Sequence, residues 1–293
     1  MTTVKEKAYA KINLFLDVVA KREDGFHEIK TVMHTVSLCD DVTVSVQNAH
    51  NNFIRISIPN CAYIPTDNRN LAYRAAELFL DRLGKKATVN IHLYKRIPVA
   101  AGLAGGSTDA AAVLRAMNKA WRKPFTNTVL AKMASELGSD VPYCVLGGTA
   151  LCEGRGEIMT HIPTSTRLHT VIAIARERVS TPEAYSALDS MYSDFDGSVS
   201  TGGDAYYPKM CSALTTGADI SCGLFNAFEA AVLPRCLGAQ GIKRLMLDMG
   251  ASSVLMSGSG PSVYGIFKDE ETARATETEL RNAKYSAWYA QTV

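Results

Sequence analysis

The sequence has no surplus of charge of either sign. Its 31 lysines and arginines stand against 29 aspartates and glutamates, a net of +2, so neither a nucleic-acid backbone nor an anionic membrane is expected as the main partner. Long hydrophobic runs are missing too. The longest near the N-terminus, Ile12 to Ala20, is interrupted by Asn13 and Asp17, whereas a membrane span needs about 20 apolar residues in a row. No small-residue cleavage site follows it, which predicts that there is no signal peptide. The seven cysteines, Cys39, Cys61, Cys144, Cys152, Cys211, Cys222 and Cys236, form no C-x-x-C pair. Scattered and odd in number, they predict reduced thiols in a cytoplasmic protein, with neither a zinc site nor a disulfide framework. Internal repeats and low-complexity tracts are also lacking. What is present, 47% hydrophobic and 20% charged residues over 293 positions, is a soluble globular composition with room for about two domains.

The chain is organised around Pro98-Val99-Ala100-Ala101-Gly102-Leu103-Ala104-Gly105-Gly106-Ser107-Thr108-Asp109-Ala110. Before it, Thr88 to Tyr94 alternates, with Val89, Ile91 and Leu93 facing one way, which predicts a half-buried strand. After it, Ala110 to Ala120 combines strong helix formers with an apolar stripe at Val113, Leu114 and Met117, which predicts a helix. Ser107, Thr108 and Asp109 are each able to cap that helix. A strand, a glycine-rich turn and a helix start in this order suggest an anion site. Small residues let the backbone approach a phosphate, its N–H groups converge on the oxygens, and the helix N-terminus adds roughly half a positive charge. The stretch is neither a Walker A loop, since no Gly-Lys-Ser/Thr follows, nor a Rossmann fingerprint, since Gly102, Gly105 and Gly106 are wrongly spaced. Taken alone, it is equally compatible with a tight connection.

In chain order, Ala8 to Val18 alternates, with Ile12, Leu14, Leu16 and Val18 on a core face and Lys11, Asn13 and Asp17 on the other. Lys11 and Asn13 project together, about 7 Å apart. Their plain reading is the solvent face of an edge strand. Asp24-Gly25 signals a turn, and His27 beside it is either a solvated turn histidine or a ligand contact. Strands are expected at Ile29 to Leu38, Val42 to Val46 and Phe53 to Ile58. Asn70-Leu71 opens a helix with Leu71, Ala75, Leu78 and Phe79 on one stripe, ending near Gly84. Strands followed by helices indicate an α+β arrangement. Thr126 to Leu137 is another amphipathic helix, with Val129, Leu130, Met133, Ala134 and Leu137 inward. In Gly138-Ser139-Asp140-Val141-Pro142, Asp140 reads as a cap or turn former, and Pro142 pushes Val141 towards extended geometry.

His161 to Thr166 is the candidate boundary between domains at 1–162 and 163–293. Beyond it come a strand at His169 to Ala175, a helix opening at Thr181-Pro182 and a flexible loop at Asp194 to Asp204. Helices follow near Ala205 to Leu214, Gly223 to Leu233 and Leu237 to Met249, then strands at Val254 to Met256, Ser262 to Phe267 and Tyr285 to Gln291, with a helix from Glu270 to Asn282. That order suits a ferredoxin-like arrangement. Ser257-Gly258-Ser259-Gly260-Pro261 joins two of these strands and as an ordinary hairpin needs no function.

Taken together, Lys11 with Asn13, the loop Pro98 to Thr108 and Ser257 to Pro261 resemble, in order and separation, the three motifs of the GHMP kinases, a family named for galactokinase, homoserine, mevalonate and phosphomevalonate kinases. Ala8-Tyr9-Ala10-Lys11-Ile12-Asn13-Leu14, Asp24-Gly25-Phe26-His27-Glu28 and Gly138 to Pro142 bring the resemblance closest to the branch that serves non-mevalonate isoprenoid biosynthesis. It spans nearly the whole chain, least between Tyr192 and Leu224. It implies a two-domain GHMP kinase fold, a ribosomal-protein-S5-like domain followed by a ferredoxin-like one. It also implies a small-molecule kinase that uses ATP and Mg²⁺ to phosphorylate the 2-hydroxyl of an acceptor carrying a cytidine diphosphate group.

By the same resemblance, ATP's phosphates lie along Pro98, Val99, Ala100, Ala101, Gly102, Leu103, Ala104, Gly105, Gly106, Ser107 and Thr108, whose amides replace the Walker lysine. Ser107 or Thr108 reaches a phosphate or Mg²⁺, and the other metal ligands stay undetermined. Asn70 and Leu71 approach the adenine, and Lys95 lies near the nucleotide. Asp140 accepts the proton of the attacking hydroxyl, while Lys11 keeps it ionised and stabilises charge in transit. Asn13, Phe26, His27, Thr181 and Tyr185 join Asp140 in contacting the acceptor, with rings sandwiching the cytosine. Position 26 is Phe where Tyr is common, which keeps the stacking face. Ala100, Ala101 and Ala104 stand where glycines are possible, which stiffens the loop. The alternatives are a GHMP kinase acting on mevalonate, homoserine or a sugar, and a non-catalytic RNA-binding protein on the same scaffold. Near-neutral charge counts against the latter. A monomer or weak homodimer is expected.

Overall fold

The protein is described by a computed structural model covering residues 1–177, 179–192 and 201–293; the part of the expected loop from 194 to 200 lies outside the described residues. Contacts divide the chain into two compact units that interleave in sequence. One comprises residues 1–10, 39–99 and 104–147, the other 11–38, 100–103 and 148–293.

Two long strands, β1 (Thr2–Lys21) and β2 (His27–Asn48), contribute residues to both units. The first unit adds β3 (Phe53–Ser57) and β4 (Ala87–Tyr94), in the order β3-β4-β2-β1. β4 buries Val89, Ile91 and Leu93 and exposes Asn90, His92 and Tyr94, as its alternation predicts. Its helices are α1 (Leu71–Leu83), α2 (Gly105–Ala120), α3 (Asn127–Ala134) and α4 (Val141–Leu146). The Asn70 side chain accepts the Ala72 N–H at the start of α1, and Gly84 closes it in the left-handed conformation, the residue choices those positions favour.

Four expectations change here. β2 is one strand of 22 residues: the chain stays extended through Asp40, and Asp41 pairs with Tyr94 instead of breaking the strand. α2 begins at Gly105, so Ser107, Thr108 and Asp109 lie inside its first turns and none of them caps it; the cap position is Ala104, left-handed at φ 58° with no side-chain bond. α3 stops at Ala134 and leaves Val129 exposed, its buried face being Leu130, Ala131, Met133 and Ala134. Val141 is helical, with Pro142 in the first turn of α4, where its missing N–H costs no hydrogen bond.

The second unit contains β5 (Thr149–Gly154), β6 (Ile158–His161), β7 (His169–Ile174), α5 (Thr181–Met191), α6 (Tyr207–Thr216), β8 (Phe225–Asn226), α7 (Phe228–Val232), α8 (Leu237–Asp248), β9 (Ser253–Met256), β10 (Ser262–Phe267), α9 (Glu270–Asn282) and β11 (Ser286–Gln291). β5 pairs antiparallel with β2 and with β6, and β8 pairs parallel with β1. The other sheet runs β11-β7-β10-β9, antiparallel throughout, which is the ferredoxin-like order expected of these elements. Its core includes Val171, Leu188, Phe228, Ile242, Met246 and Leu280. The helix expected over Gly223 to Leu233 is replaced by a 3₁₀ turn, β8 and the shorter α7. Phe225 and Asn226 are drawn into pairing with Phe15 and Leu16, and the Asn226 amide donates to the carbonyls of Met256 and Gly258 at 2.7 and 2.9 Å.

Candidate active site

In the first unit the glycine-rich stretch is flanked by a closed charge cluster. Lys95, the first residue after β4, puts its ammonium between Asp40 and Asp109, 2.5 Å from the latter. All three side chains are nearly inaccessible. Burial pushes the Asp109 carboxyl up to about 7, against the opposing pull of the Lys95 charge. Burial also works to lower the Lys95 pKa, but the two carboxylates outweigh it and hold it above the usual value. Asp109 Oδ1 is buried with no hydrogen-bond partner among the described residues. Asn70, from the cap of α1, donates to the Pro65 carbonyl at 2.7 Å, and Leu71 lies beside Gly106, 3.9 Å from where a Cβ would stand. Thr108 donates its hydroxyl to the Tyr9 carbonyl at 2.8 Å. Asp140 stands at the start of α4 without capping it, and its carbonyl accepts the Cys144 N–H at 3.1 Å.

In the second unit Lys11 and Asn13 are not on a solvent face. Both are buried, as is Asp17, because β1 is covered on both sides there. The Lys11 ammonium donates to Asn13 Oδ1 at 2.7 Å and to the Gly102 carbonyl at 3.0 Å. Asn13 Nδ2 in turn donates to Thr31 Oγ1, and Thr31 to the Phe15 carbonyl, so the acceptor that orients the lysine is itself held. The Gly102 carbonyl also accepts the Ser257 hydroxyl at 3.2 Å. Gly102 has φ 71°, and a Cβ there would stand 2.2 Å from the Ser257 carbonyl oxygen, so only glycine fits. The turn at 257–261 therefore does more than connect two strands: it locks the residue whose carbonyl receives Lys11.

His27 is likewise buried, not a solvated turn residue. Its Nε2 lies 2.7 Å from Asp189 Oδ1, and Asp189 Oδ2 accepts Lys21 Nζ at 2.7 Å. Burial pushes Asp189 up, but the bonds from Lys21 and His27 prevail and leave its pKa below the ordinary value. The His27 ring stacks on Tyr185, centroids 4.5 Å apart, and Tyr185 meets the edge of Phe228. His27 and Tyr185 thus close on each other, with no gap between those two rings for a base. Phe26 is 53% exposed, with the Arg155 guanidinium over its ring. Thr181 shares a hydrogen bond with Ser259 at 3.0 Å.

Asp40, Asp189 and Tyr264, which donates its hydroxyl to the Asn13 carbonyl, were not singled out by residue pattern. A signal existed for one of them. Asp189 follows Thr181 and Tyr185 at four-residue spacing, on one face of α5.

The family description "GHMP kinases N terminal domain" matches residues 70–148 and "GHMP kinases C terminal" matches 216–287. The 4-diphosphocytidyl-2-C-methyl-D-erythritol kinase of Bacillus subtilis strain 168 is 42% identical over 281 residues, 95% of this chain and 93% of that protein. The protein of the same name from Caldicellulosiruptor bescii is 40% identical over 280 residues, 95% of this chain and 94% of its own. A crystal structure of a 4-(cytidine 5'-diphospho)-2C-methyl-D-erythritol kinase superposes with a TM-score of 0.80 at 32% identity, covering 99% of both chains. With both domain signatures in order and relatives this close over nearly its full length, the chain belongs to the GHMP kinase family, among the 4-diphosphocytidyl-2-C-methyl-D-erythritol kinases.

Proposed function

We propose that this protein transfers the γ-phosphate of ATP to the 2-hydroxyl of 4-diphosphocytidyl-2-C-methyl-D-erythritol, giving the 2-phosphate and ADP in non-mevalonate isoprenoid biosynthesis. The observation that carries the reading is the 40–42% identity, over 95% of the chain, to proteins named for that substrate. ATP's phosphates lie along residues 98–108, where backbone N–H groups and the N-terminus of α2 favour anions. Asn70, Leu71 and Lys95 belong to the nucleotide's surroundings. Asp140 takes the proton of the attacking hydroxyl, and Lys11, oriented by Asn13 and the Gly102 carbonyl, offsets negative charge on the transferring group. Phe26, His27, Thr181 and Tyr185 receive the cytidine end of the acceptor.

Among the described residues there is no group of three or more His, Cys, Asp or Glu side chains suited to a metal ion. Thr108's hydroxyl is turned to Tyr9 and Asp109 to Lys95. These residues do not form a resident metal site. Mg²⁺ accordingly enters the proposal as the counter-ion of ATP, and no step is assigned to it. No helix among the described residues is long and apolar enough to cross a membrane.

The test is ADP release from ATP and Mg²⁺ with the cytidine diphosphate acceptor, mevalonate, homoserine and galactose in parallel. Turnover confined to the first is the expected result; turnover with another acceptor would keep the family and remove the substrate. Asp140→Asn should lower turnover by roughly 10² to 10⁴, the usual range for a positioned acid–base group. Lys11→Ala should damage turnover more than ATP affinity, and the reverse pattern would sink its assigned role.

A further inference from the structure

The register of β2 with β4 ends at Asp41 opposite Tyr94. One residue further the chain leaves the sheet towards the glycine-rich stretch, and the N–H groups of Arg96 and Ile97 lose the ladder partners a strand would give them. Asp40 receives both. Its Oδ1 accepts the Ile97 N–H at 2.8 Å and that of Arg96, and its Oδ2 takes the Lys95 ammonium. Lys95 carries the connection on to the start of α2, reaching the Asp109 carboxylate at 2.5 Å and the Gly105 carbonyl at 3.5 Å. The packing there is tight, since a Cβ on Gly105 would stand 3.1 Å from the Ile97 side chain. Asp40 itself is fully enclosed, so each buried donor it serves would lose its protein acceptor if the carboxylate were removed.

We infer that Asp40 is the positioning residue of the phosphate-binding loop. One enclosed carboxylate fixes the chain entering the loop directly and, through Lys95, the helix start that leaves it. Backbone N–H groups bind phosphate well only when held within about half an ångström of the productive geometry by supporting contacts. Asp40 supplies that support without touching the ligand. The inference rests on the proposed function in one respect, that ATP's phosphates lie along this loop.

The test reads ATP affinity apart from turnover. ATP binding is measured by titration calorimetry in the wild type, Asp40→Asn and Asp109→Ala, alongside the KM for the cytidine diphosphate acceptor. Asparagine keeps one acceptor oxygen but removes the charge opposite Lys95. It should weaken ATP binding about tenfold, equivalent to about 1.4 kcal/mol, with the acceptor KM within about twofold of wild type. Asp109→Ala, which cuts the link to α2 alone, should weaken ATP binding by less, about threefold on the same scale. An unchanged ATP affinity in Asp40→Asn, or an acceptor KM rising in step with the ATP constant as general loosening would produce, overturns the inference. Should Asp40→Asn fail to fold, the same two readouts on Asp109→Ala decide. A wild-type chain that binds ATP but phosphorylates a different acceptor would remove the proposed substrate, and the ATP affinities would still judge Asp40.

Discussion

Two carboxylates in this molecule touch a lysine and respond in opposite directions. Asp109, enclosed beneath the start of α2, is pushed up to about 7 even though Lys95 lies against it. Asp189, on α5 and a quarter exposed, is held below its ordinary value by Lys21 and His27. The partner is the same residue type and the separations are similar, so contact alone does not set the charge state. What differs is solvent. The interior penalises the Asp109 carboxylate more than one shared ammonium returns, because Asp40 competes for the same lysine. The first region is a clasp whose charge changes near neutrality, and the second keeps its charge through the physiological range.

The strongest way to break this contrast is to remove each lysine. Lys95→Met leaves two enclosed carboxylates without their cation and should cost about 3–5 kcal/mol in urea unfolding, the usual penalty for breaking a buried pair. A loss as small as that of an exposed pair would mean that the cluster opens to water. The contrast sharpens in the pH dependence. A folded-state pKa raised to about 7 means that the native protein holds a proton the unfolded chain has released, so the Asp109 contribution is complete below about pH 4 and fades as pH rises to about 7. Between pH 5 and 8 the wild type should therefore lose about 2–3 kcal/mol, roughly two pH units at about 1.4 kcal/mol each, that Asp109→Asn does not lose. Asp189 runs the other way, its contribution present above the unfolded-state value and lost as pH falls through the lowered folded one. The smallest effect is expected for Lys21→Met, whose side chain is half exposed. That change should cost less than about 1 kcal/mol, and a larger loss would show that His27 depends on the pair for its place.

Much of this architecture was legible in the sequence. The alternation of Val89, Ile91 and Leu93 marks β4, Asn70 and Gly84 bracket α1, and the order of the last strands and helices gives the ferredoxin-like sheet. The failures share a cause. Periodicity reports which face is apolar but not whether the polar face is also covered, so Lys11, Asn13 and Asp17 on β1 read as solvated when they are buried. Gly105 to Thr108 read as loop because glycine and serine are poor helix formers, yet a tertiary ion cluster anchors them as the first turn of α2. Asp40 stayed hidden because its partners lie more than 50 residues away in sequence. Lys11, Asp140, His27 and Tyr185 were reached through family resemblance; their residue types alone had ordinary readings.

The fit between Gly102 and Ser257 has a consequence for how the chain comes to life on the ribosome. The two residues are 155 positions apart, and at roughly 5–20 residues per second the second emerges about 8–30 s after the first. Until then Gly102, which presents its carbonyl to Lys11, lacks the turn that locks it. The nascent N-terminal half can acquire its strands and helices early, but a ribosome stalled before the last hairpin would leave Lys11 without the turn that locks its carbonyl partner.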